Sequence, residues 1–417
     1  MSVRTLVTVV LLLATHLAEA RVFRVSKQGP YRLLSLAVAA ARAGDTIRVA
    51  SGVYAEPNVL IHKPLVLLGE KGAVLDGQSK YEILTIAKTR VVVQGFTFRR
   101  SGRSNMDDFA GIKVHDAHGS RFVNNIFEET FFGIHLSNTD SAYIAGNRLK
   151  ATAANEYELG NGIHLWKCRW ARIENNHITG HRDGIYFEFV TNSSITRNQS
   201  RQNMRYGLHF MFCDDNTYES NVFSKNGAGV AVMYTKGVRM LNNVFEENWG
   251  AAAYGLLLKD IRDSEVCGNR FLNNTSGIYL EGTSRTLFEN NLFRGNGWAI
   301  QLQASCDGNT LRRNNFAGNT FDIATNGHVV LNTVNGNYWD KYQGYDLNRD
   351  GVGDVPYYPV SLFASLSEQI PSAMLLWRSF LVFMLERAEK VMPAIIPVDL
   401  RDNQPQLQPH DHHQRSR

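Results

Sequence analysis

A glycine recurs along the middle of the chain at intervals of 22 to 29 residues, and each one opens a short apolar segment such as GIHLS or GIYLE. These glycines are Gly133, Gly162, Gly184, Gly207, Gly229, Gly255 and Gly277. An asparagine column runs in register behind them, at Asn125, Asn147, Asn176, Asn198, Asn221, Asn243, Asn269, Asn291 and Asn315. A repeat of about 22 residues is too short to bury a core alone, so the repeats must stack. The chain is therefore predicted to be a solenoid.

The residues after each glycine indicate the fold. Offsets one and three are apolar in every turn, from Ile134 and Leu136 to Ile300 and Leu302. This alternation predicts strands with one buried face, and stacking them gives an all-β, right-handed parallel β-helix. We expect the asparagine column to form a side-chain ladder at a tight corner with left-handed backbone. An internal aromatic stack is predicted from Phe127, Phe223, Phe245, Phe271 and Phe293.

The ends of the chain differ from the repeat. Residues 1–20 are predicted to be a secretory signal peptide, because Arg4 precedes an apolar run that ends before the small-residue sequence Ala-Glu-Ala. That run is too short to span a bilayer. We assign 21–340 to the β-helix, with a helical cap at Leu33–Ala43 that protects its open end. The polar tail 399–417, which contains three histidines, is predicted to be disordered.

Charge and cysteine content exclude two classes of protein. The formal net charge is +5, and the Lys and Arg residues are scattered, so we expect no nucleic-acid partner. Four cysteines in so long an exported chain do not form a disulfide framework. Cys168 and Cys213 lie two turns apart, about 10 Å at the spacing of parallel strands, which is beyond disulfide reach. Free thiols are predicted.

Three segments carry a resemblance to known families. The repeat resembles the parallel β-helices of pectate lyases, polysaccharide epimerases and carbohydrate-binding sugar hydrolases. More specifically, Asn161–Cys168, Gly207–Asn216 and Asn337–Tyr357 resemble the NosD family, which matures nitrous oxide reductase in the periplasm. The resemblance implies a peripheral position at the inner membrane, on the permease and ATPase subunits of an ABC transporter complex. It also implies copper delivery to nitrous oxide reductase, with a membrane-anchored copper chaperone as a further partner.

The outward strand positions contain residues that suit copper. His209 and Met211 are two residues apart on one face, about 6.7 Å, and Met233 should lie one rung, about 4.8 Å, from Met211. Thioethers and thiolates favour Cu(I), and imidazole also binds copper. The candidate ligands are His164, His209, Met211, Met233 and Cys213. The alternative is a metal-free structural adaptor, in which these side chains only contact a partner.

An enzyme is the other alternative. Glu188, Asp214 and Asp215 lie near Arg205 and Lys167, so a polysaccharide lyase or epimerase is conceivable. However, adjacent aspartates on a strand point to opposite faces, and this pair more simply marks a turn. We therefore expect no catalytic turnover and keep a carbohydrate-binding or carbohydrate-modifying protein as the second interpretation.

The segment 341–360 contains a possible calcium loop. Asp346, Asn348, Asp350 and Asp354 occupy positions 1, 3, 5 and 9 of a Ca²⁺-loop pattern, with a glycine at position 6. Position 12 is Tyr357 rather than glutamate, so the loop is not a complete EF-hand. A turn held by its own side chains is the equal alternative.

An amphipathic helical arm is predicted over 361–398, interrupted at Pro371. It is too short and too interrupted to span a membrane. Its large apolar residues suggest docking on the permease, and the candidate docking residues are Met374, Trp377, Phe380, Phe383 and Met384.

Overall fold

The computed structural model describes residues 20–104, 106–152, 155–250, 253–327, 331–377, 379–391 and 400–411. It confirms a right-handed parallel β-helix of about 13 turns. The predicted signal peptide, apart from its last residue, lies outside the described residues. Each regular turn contributes one strand to each of three parallel sheets, which have 14, 13 and 12 strands within the described ranges. We number them sheets 1, 2 and 3, in the order in which a turn passes through them.

Most strands are three to six residues long. Sheet 1 comprises Val22–Val25, Thr46–Val49, Val66–Gly69, Val92–Gln94, Arg121–Val123, Tyr143–Ala145, Arg172–Glu174, Ser194–Thr196, Thr217–Glu219, Arg239–Leu241, Glu265–Cys267, Leu287–Glu289, Thr310–Arg312 and Thr333–Asn335. Sheet 2 comprises Gly52–Tyr54, Ala73–Asp76, Thr97–Arg99, Ile126–Glu128, Arg148–Lys150, His177–Thr179, Gln199–Arg201, Val222–Ser224, Val244–Glu246, Arg270–Leu272, Leu292–Arg294, Asn315–Ala317 and Tyr338–Trp339. Sheet 3 comprises Val59–Ile61, Leu84–Ile86, Ala110–His115, Phe132–Ser137, Ile163–Trp166, Ile185–Glu188, Tyr206–Met211, Ala228–Lys236, Tyr254–Arg262, Ser276–Glu281, Trp298–Leu302 and Phe321–Ala324.

The helices lie at the two ends. Helix α1 (Leu34–Ala40) buries Leu34, Ala37 and Val38 over the first turns, so the predicted N-terminal cap is confirmed. Helices α2 (Leu362–Gln369) and α3 (Phe380–Val391) follow the last turn, separated by the 3₁₀ helix Pro371–Leu376. A further 3₁₀ turn, Glu156–Glu158, lies in the inserted loop before Gly160. Among the residues that the structure describes, no helix is long and apolar enough to cross a membrane.

The interior is a continuous apolar column with a stacked aromatic row. Phe245, Phe271, Phe293 and Phe316 stack with ring centroids 4.7 to 4.9 Å apart, and Trp339 closes this row at 4.1 Å. The predicted stack is therefore present, but it is broken after Phe127, where sheet 2 places Leu149, Ile178 and Ser200 inward. The rings exclude water from the turns and hold consecutive rungs in register.

The asparagine ladder is confirmed, with two corrections. Each ladder side chain accepts hydrogen bonds from the asparagine one turn before it; Asn176 N and Nδ2, for example, both lie 2.9 Å from Asn198 Oδ1. The left-handed backbone is not at the ladder residue but just before it, as at Asn175, whose φ is 54°. The column continues through Asn314 rather than Asn315, which lies in sheet 2 instead.

A second ladder, which we did not predict, runs beside the first. Its members are Asn203, Asn226, Asn248, Asn274, Asn296 and Asn319, each five residues after a member of the first ladder. His181 occupies the equivalent position one turn earlier, and its backbone amide donates to Asn203 Oδ1 at 3.1 Å. The spacing N-x₄-N was the available signal in the sequence.

The prediction of a disordered tail is wrong for residues 400–411. Leu400 and Asp402 are buried, and Asp402 continues the first ladder by accepting a hydrogen bond from Asn337 N at 2.9 Å. The tail also pairs with Tyr357 in both directions, at 2.9 Å each. It is ordered because the last turn exposes ladder donors that a carboxylate can satisfy. His412 and His413 lie outside the described residues.

Candidate functional site

The outer surface of sheet 3 carries two rows of side chains in strand register. We call the first the imidazole row; it contains His135, His164, Tyr186 and His209. We call the second the thioether row; it contains Trp166, Glu188, Met211 and Met233. The rows lie two residues apart along each strand, about 6.7 Å. The predicted placement of these side chains on one face is therefore observed.

The imidazole row is a ring stack that is largely covered. Ring centroids are 4.7 Å apart for His135 and His164, 4.8 Å for His164 and Tyr186, and 5.0 Å for Tyr186 and His209. Burial lowers the pKa of His135 to about 4 and that of His164 well below its ordinary value. Both imidazoles are therefore neutral at pH 7 and keep a lone pair for a metal or a proton.

The thioether row is more accessible. Met211 and Met233 are direct register partners, and both side chains are partly exposed. The Tyr186 hydroxyl donates to Met211 Sδ at 3.6 Å, which links the two rows. Burial raises the pKa of Tyr186 to about 12, so its hydroxyl stays protonated and keeps the proton that it donates to Met211. Two adjacent thioethers beside an imidazole form a soft donor set.

Cys213 does not belong to this set, and its prediction as a ligand is corrected. Its side chain is fully buried in the core, and its Sγ lies 3.0 Å from the carbonyl oxygen of Met211. Phe212 has a φ of 55°, and this left-handed residue breaks the alternation and turns Cys213 inward. Burial raises the pKa of the Cys213 thiol to about 12, which disfavours the thiolate that binds copper. Both Cys168 and Cys213 are free thiols, as expected.

His164 is also separated from the other candidate ligands. The Tyr186 ring stands between His164 and His209, so the two imidazoles lie two rungs apart. His164 instead pairs with Asn161, whose Nδ2 is 3.2 Å from His164 Nδ1. The structure therefore brings together His209, Met211 and Met233 and leaves His164 beside His135.

Several buried polar atoms around the imidazole row lack hydrogen bonds. Across the described ranges, both ring nitrogens of His209, His135 Nδ1 and Asp183 Oδ2 have no hydrogen-bond partner. An unpaired buried polar atom costs about 1–3 kcal/mol, so such a concentration is unusual in a structural surface. Within the described residues, donor and acceptor capacity is therefore concentrated beside the imidazole row.

Sequence reasoning missed an aromatic corner beside the thioether row. Phe189, Phe212 and Tyr234 directly follow Glu188, Met211 and Met233, and their rings stack 5.2 Å apart. All three are more than 40% exposed and have φ of 55° or 56°, a conformation that bulky side chains rarely adopt. The dipeptides EF, MF and MY at one repeat position were the signal.

The acidic groups are engaged in turns. Asp214 Oδ1 accepts from the Lys236 amide at 3.0 Å, and Asp215 has a φ of 56°, as expected for a chain-turning pair. In the 341–360 loop, Asp346 accepts from the amides of Arg349 and Gly351 at 2.6 and 2.9 Å. In addition, Asp354 Oδ2 accepts from the Leu347 amide at 2.7 Å. The loop is thus stabilised by its own side chains, and calcium binding stays a prediction.

In the part of the chain that the structure describes, no cluster of three or more His, Cys, Asp or Glu side chains is arranged as a metal site. Methionine is not among those four residue types, and its thioethers are the donors that distinguish this surface.

The helical arm divides into a packed and an exposed side. Trp377 lies 5.0 Å from Phe321 and 5.9 Å from Phe363 between ring centroids, and Met374 packs on the same cluster. These two predicted docking residues therefore hold the arm on the solenoid. Phe380, Phe383 and Met384 are 76%, 50% and 51% exposed.

The fold and this surface together define a right-handed parallel β-helix protein with an outward imidazole and thioether face. The NosD family model, described as periplasmic copper-binding protein, matches residues 150–344, which include both rows except His135. Over these residues the chain is similar to the NosD family.

Two curated relatives carry the name probable ABC transporter binding protein NosD. The protein from Pseudomonas aeruginosa is 29% identical over 91% of this chain and 95% of its own. The one from Stutzerimonas stutzeri is 29% identical over 86% of each. Among solved structures, PfbA, a surface adhesin of Streptococcus pneumoniae, superposes with a TM-score of 0.56 at 14% identity. That match covers 69% of this chain and 87% of the adhesin, and it supports the fold alone.

Proposed function

We propose that this protein is the periplasmic accessory subunit of an ABC transporter complex and carries copper, as Cu(I), for the copper centres of nitrous oxide reductase. The family description supports copper binding and the periplasm, and the relatives' names support an ABC transporter partner. In this proposal the protein docks on the permease of a permease–ATPase pair. It receives copper from a membrane-anchored chaperone and has no turnover of its own.

The observation that carries the proposal is the pairing of Met211 with Met233 in one register position, beside His209 on the same strand. Thioethers retain soft-ligand character in the periplasm, and imidazole completes a donor set that favours Cu(I). Because the face is open and the ligands are few, the ion can leave by ligand exchange with an incoming partner.

The first test is a competitive Cu(I) titration of the mature protein. A variant carrying His209→Ala, Met211→Ala and Met233→Ala should bind Cu(I) at least about 10-fold more weakly than wild type. The matched control carries Lys259→Ala and Glu281→Ala. These two side chains continue the column after Met233 on the next two strands of sheet 3 and form an ion pair of 2.9 Å. Equal Cu(I) binding by the triple variant and wild type would refute this ligand set and favour the metal-free adaptor.

We propose that the exposed side of the arm docks on the permease. Phe380, Phe383 and Met384 leave apolar area in solvent, which a soluble monomer seldom does without a partner. Replacing all three by alanine should abolish co-purification with the permease while the solenoid stays folded. The matched control replaces Leu36, Val53 and Leu60, which are exposed at the opposite end. Undiminished co-purification of the arm variant would refute the docking assignment.

A further inference from the structure

Asp183 is a buried carboxylate that no part of the copper-ligand assignment uses. Its side chain is fully buried in the bend just before the sheet 3 strand Ile185–Glu188, one turn before His209. Its Oδ1 accepts from the Tyr206 amide at 3.2 Å and lies 4.0 Å from Arg205 Nε. Its Oδ2, by contrast, has no hydrogen bond to any described residue.

That free oxygen has His209 as a titratable neighbour. Asp183 Oδ2 lies 3.8 Å from His209 Nδ1, and both His209 nitrogens lack hydrogen bonds within the described structure. The distance is about 1 Å longer than an N–H···O hydrogen bond, so a small side-chain adjustment closes it. One hydrogen bond from Nδ1 would satisfy two of the three unpaired atoms and leave only Nε2.

We infer that Asp183 is a positioning residue, which holds the His209 proton on Nδ1 and thereby reserves the Nε2 lone pair for copper. The inference rests on the proposed copper function. Ligating histidines usually donate their second ring nitrogen to a carboxylate or carbonyl, which fixes the tautomer and raises the basicity of the ligand atom. Here the Tyr206 amide in turn fixes the carboxylate through Oδ1. The other oxygen, Oδ2, is then positioned to accept the imidazole proton from Nδ1.

The variant Asp183→Asn tests the positioning role, because it keeps the size of the side chain and changes only the hydrogen-bonding atom that faces His209. Because the Tyr206 amide requires an oxygen, the amide nitrogen of the asparagine takes the place of Oδ2 and donates to His209 Nδ1. The imidazole proton then moves to Nε2, which can no longer bind a metal, as occurs when the aspartate of a serine-protease triad is replaced by asparagine. We expect Cu(I) affinity to fall by about 10- to 100-fold. Asp322→Asn, a buried carboxylate held by Tyr357 at the last strand of sheet 3, is the matched control and should leave affinity unchanged.

A second measurement needs no copper. Side-chain ¹⁵N NMR of the metal-free wild type should show His209 as the Nδ1–H tautomer, and Asp183→Asn should shift it to Nε2–H. An Nε2–H tautomer in wild type would overturn the inference. So would an Asp183→Asn protein that binds Cu(I) like wild type while His209→Ala is weakened, in which case the copper function stands. If His209→Ala itself binds copper normally, His209 is not a ligand, and both this inference and that ligand assignment fail.

Discussion

Asp402 offers the sharpest test of how the solenoid is closed. Its buried carboxylate accepts five hydrogen bonds: Oδ1 from the amides of Gly336 and Gln404, at 2.9 and 3.0 Å, and Oδ2 from three donors. Those donors are the amide and side chain of Asn337, at 2.9 and 3.2 Å, and the Trp339 indole at 3.0 Å. Through these bonds one residue of the tail satisfies the end of the first ladder and the end of the aromatic row.

Replacing Asp402 by alanine should destabilise the last turn by about 3–5 kcal/mol. This value follows because the three fully buried donors would each lose a charge-assisted bond worth about 1.5–3 kcal/mol, and part of that is offset by no longer burying a carboxylate. The loss is local, since each turn contacts only its neighbours. Backbone amides of 333–339 should therefore exchange with solvent about 100-fold faster or more, and the tail should become cleavable by protease.

The control is Asp411→Ala in the same tail, where the carboxylate is exposed. It should leave hydrogen exchange at 333–339 unchanged. If Asp402→Ala showed wild-type protection there, the carboxylate would not be what closes the ladder. The ordered end would then have to come from the other contacts of the tail, such as those with Tyr357 and Asn315.

Two further predictions follow from the core. Burial lowers the pKa of His181 to about 4, below the roughly 6.5 of an unfolded histidine, so the unfolded chain binds the extra proton between these values. The contribution of His181 to stability should therefore be complete above pH 6.5 and fall by about 1.4 kcal/mol per pH unit down to pH 4. His181→Asn, which matches the second ladder, should reduce that slope in urea unfolding at pH 7 and pH 5; an unchanged slope would contradict the assignment. Phe271→Ala opens a gap between rings at 4.7 and 4.9 Å and should cost about 3–5 kcal/mol in the same assay, and a loss below about 1 kcal/mol would contradict tight stacking.

The fold was accessible from the sequence because its determinants are local and periodic. Gly207 and its equivalents must lack a Cβ, which in Gly207 would come within 2.8 Å of the Gly229 carbonyl oxygen. Inward positions such as Leu208 and Phe210 follow from their offsets of one and three residues after the repeat glycine. The choice between Asn314 and Asn315 was wrong because either neighbour fits the period.

The site could be predicted from the sequence only in part, because loops cover some of its side chains and turns change the direction of others. The register of Met211 with Met233 follows from the repeat. The surroundings of His135 do not, because they include Asp108, which lies 3.6 Å from its Nε2 on a preceding loop. Cys213 was placed on the wrong face because the inward–outward alternation of side chains breaks after a left-handed residue. Phe212 is that residue, and phenylalanine is not a residue type from which a left-handed conformation is predicted. The role of Asp402 could not be inferred, since no period connects the tail with the last turn.

X-ray absorption at the copper K-edge of the Cu(I)-loaded protein tests the central claim most directly, because it reports the atoms bound to the ion. The imidazole and thioether rows together predict both sulfur and nitrogen neighbours of copper in wild type. The sulfur contribution should be lost in a Met211→Ala, Met233→Ala variant, and the nitrogen contribution should be reduced in His209→Ala. A spectrum that contains no sulfur, or that is unchanged in these variants, would contradict copper binding on this face of the solenoid.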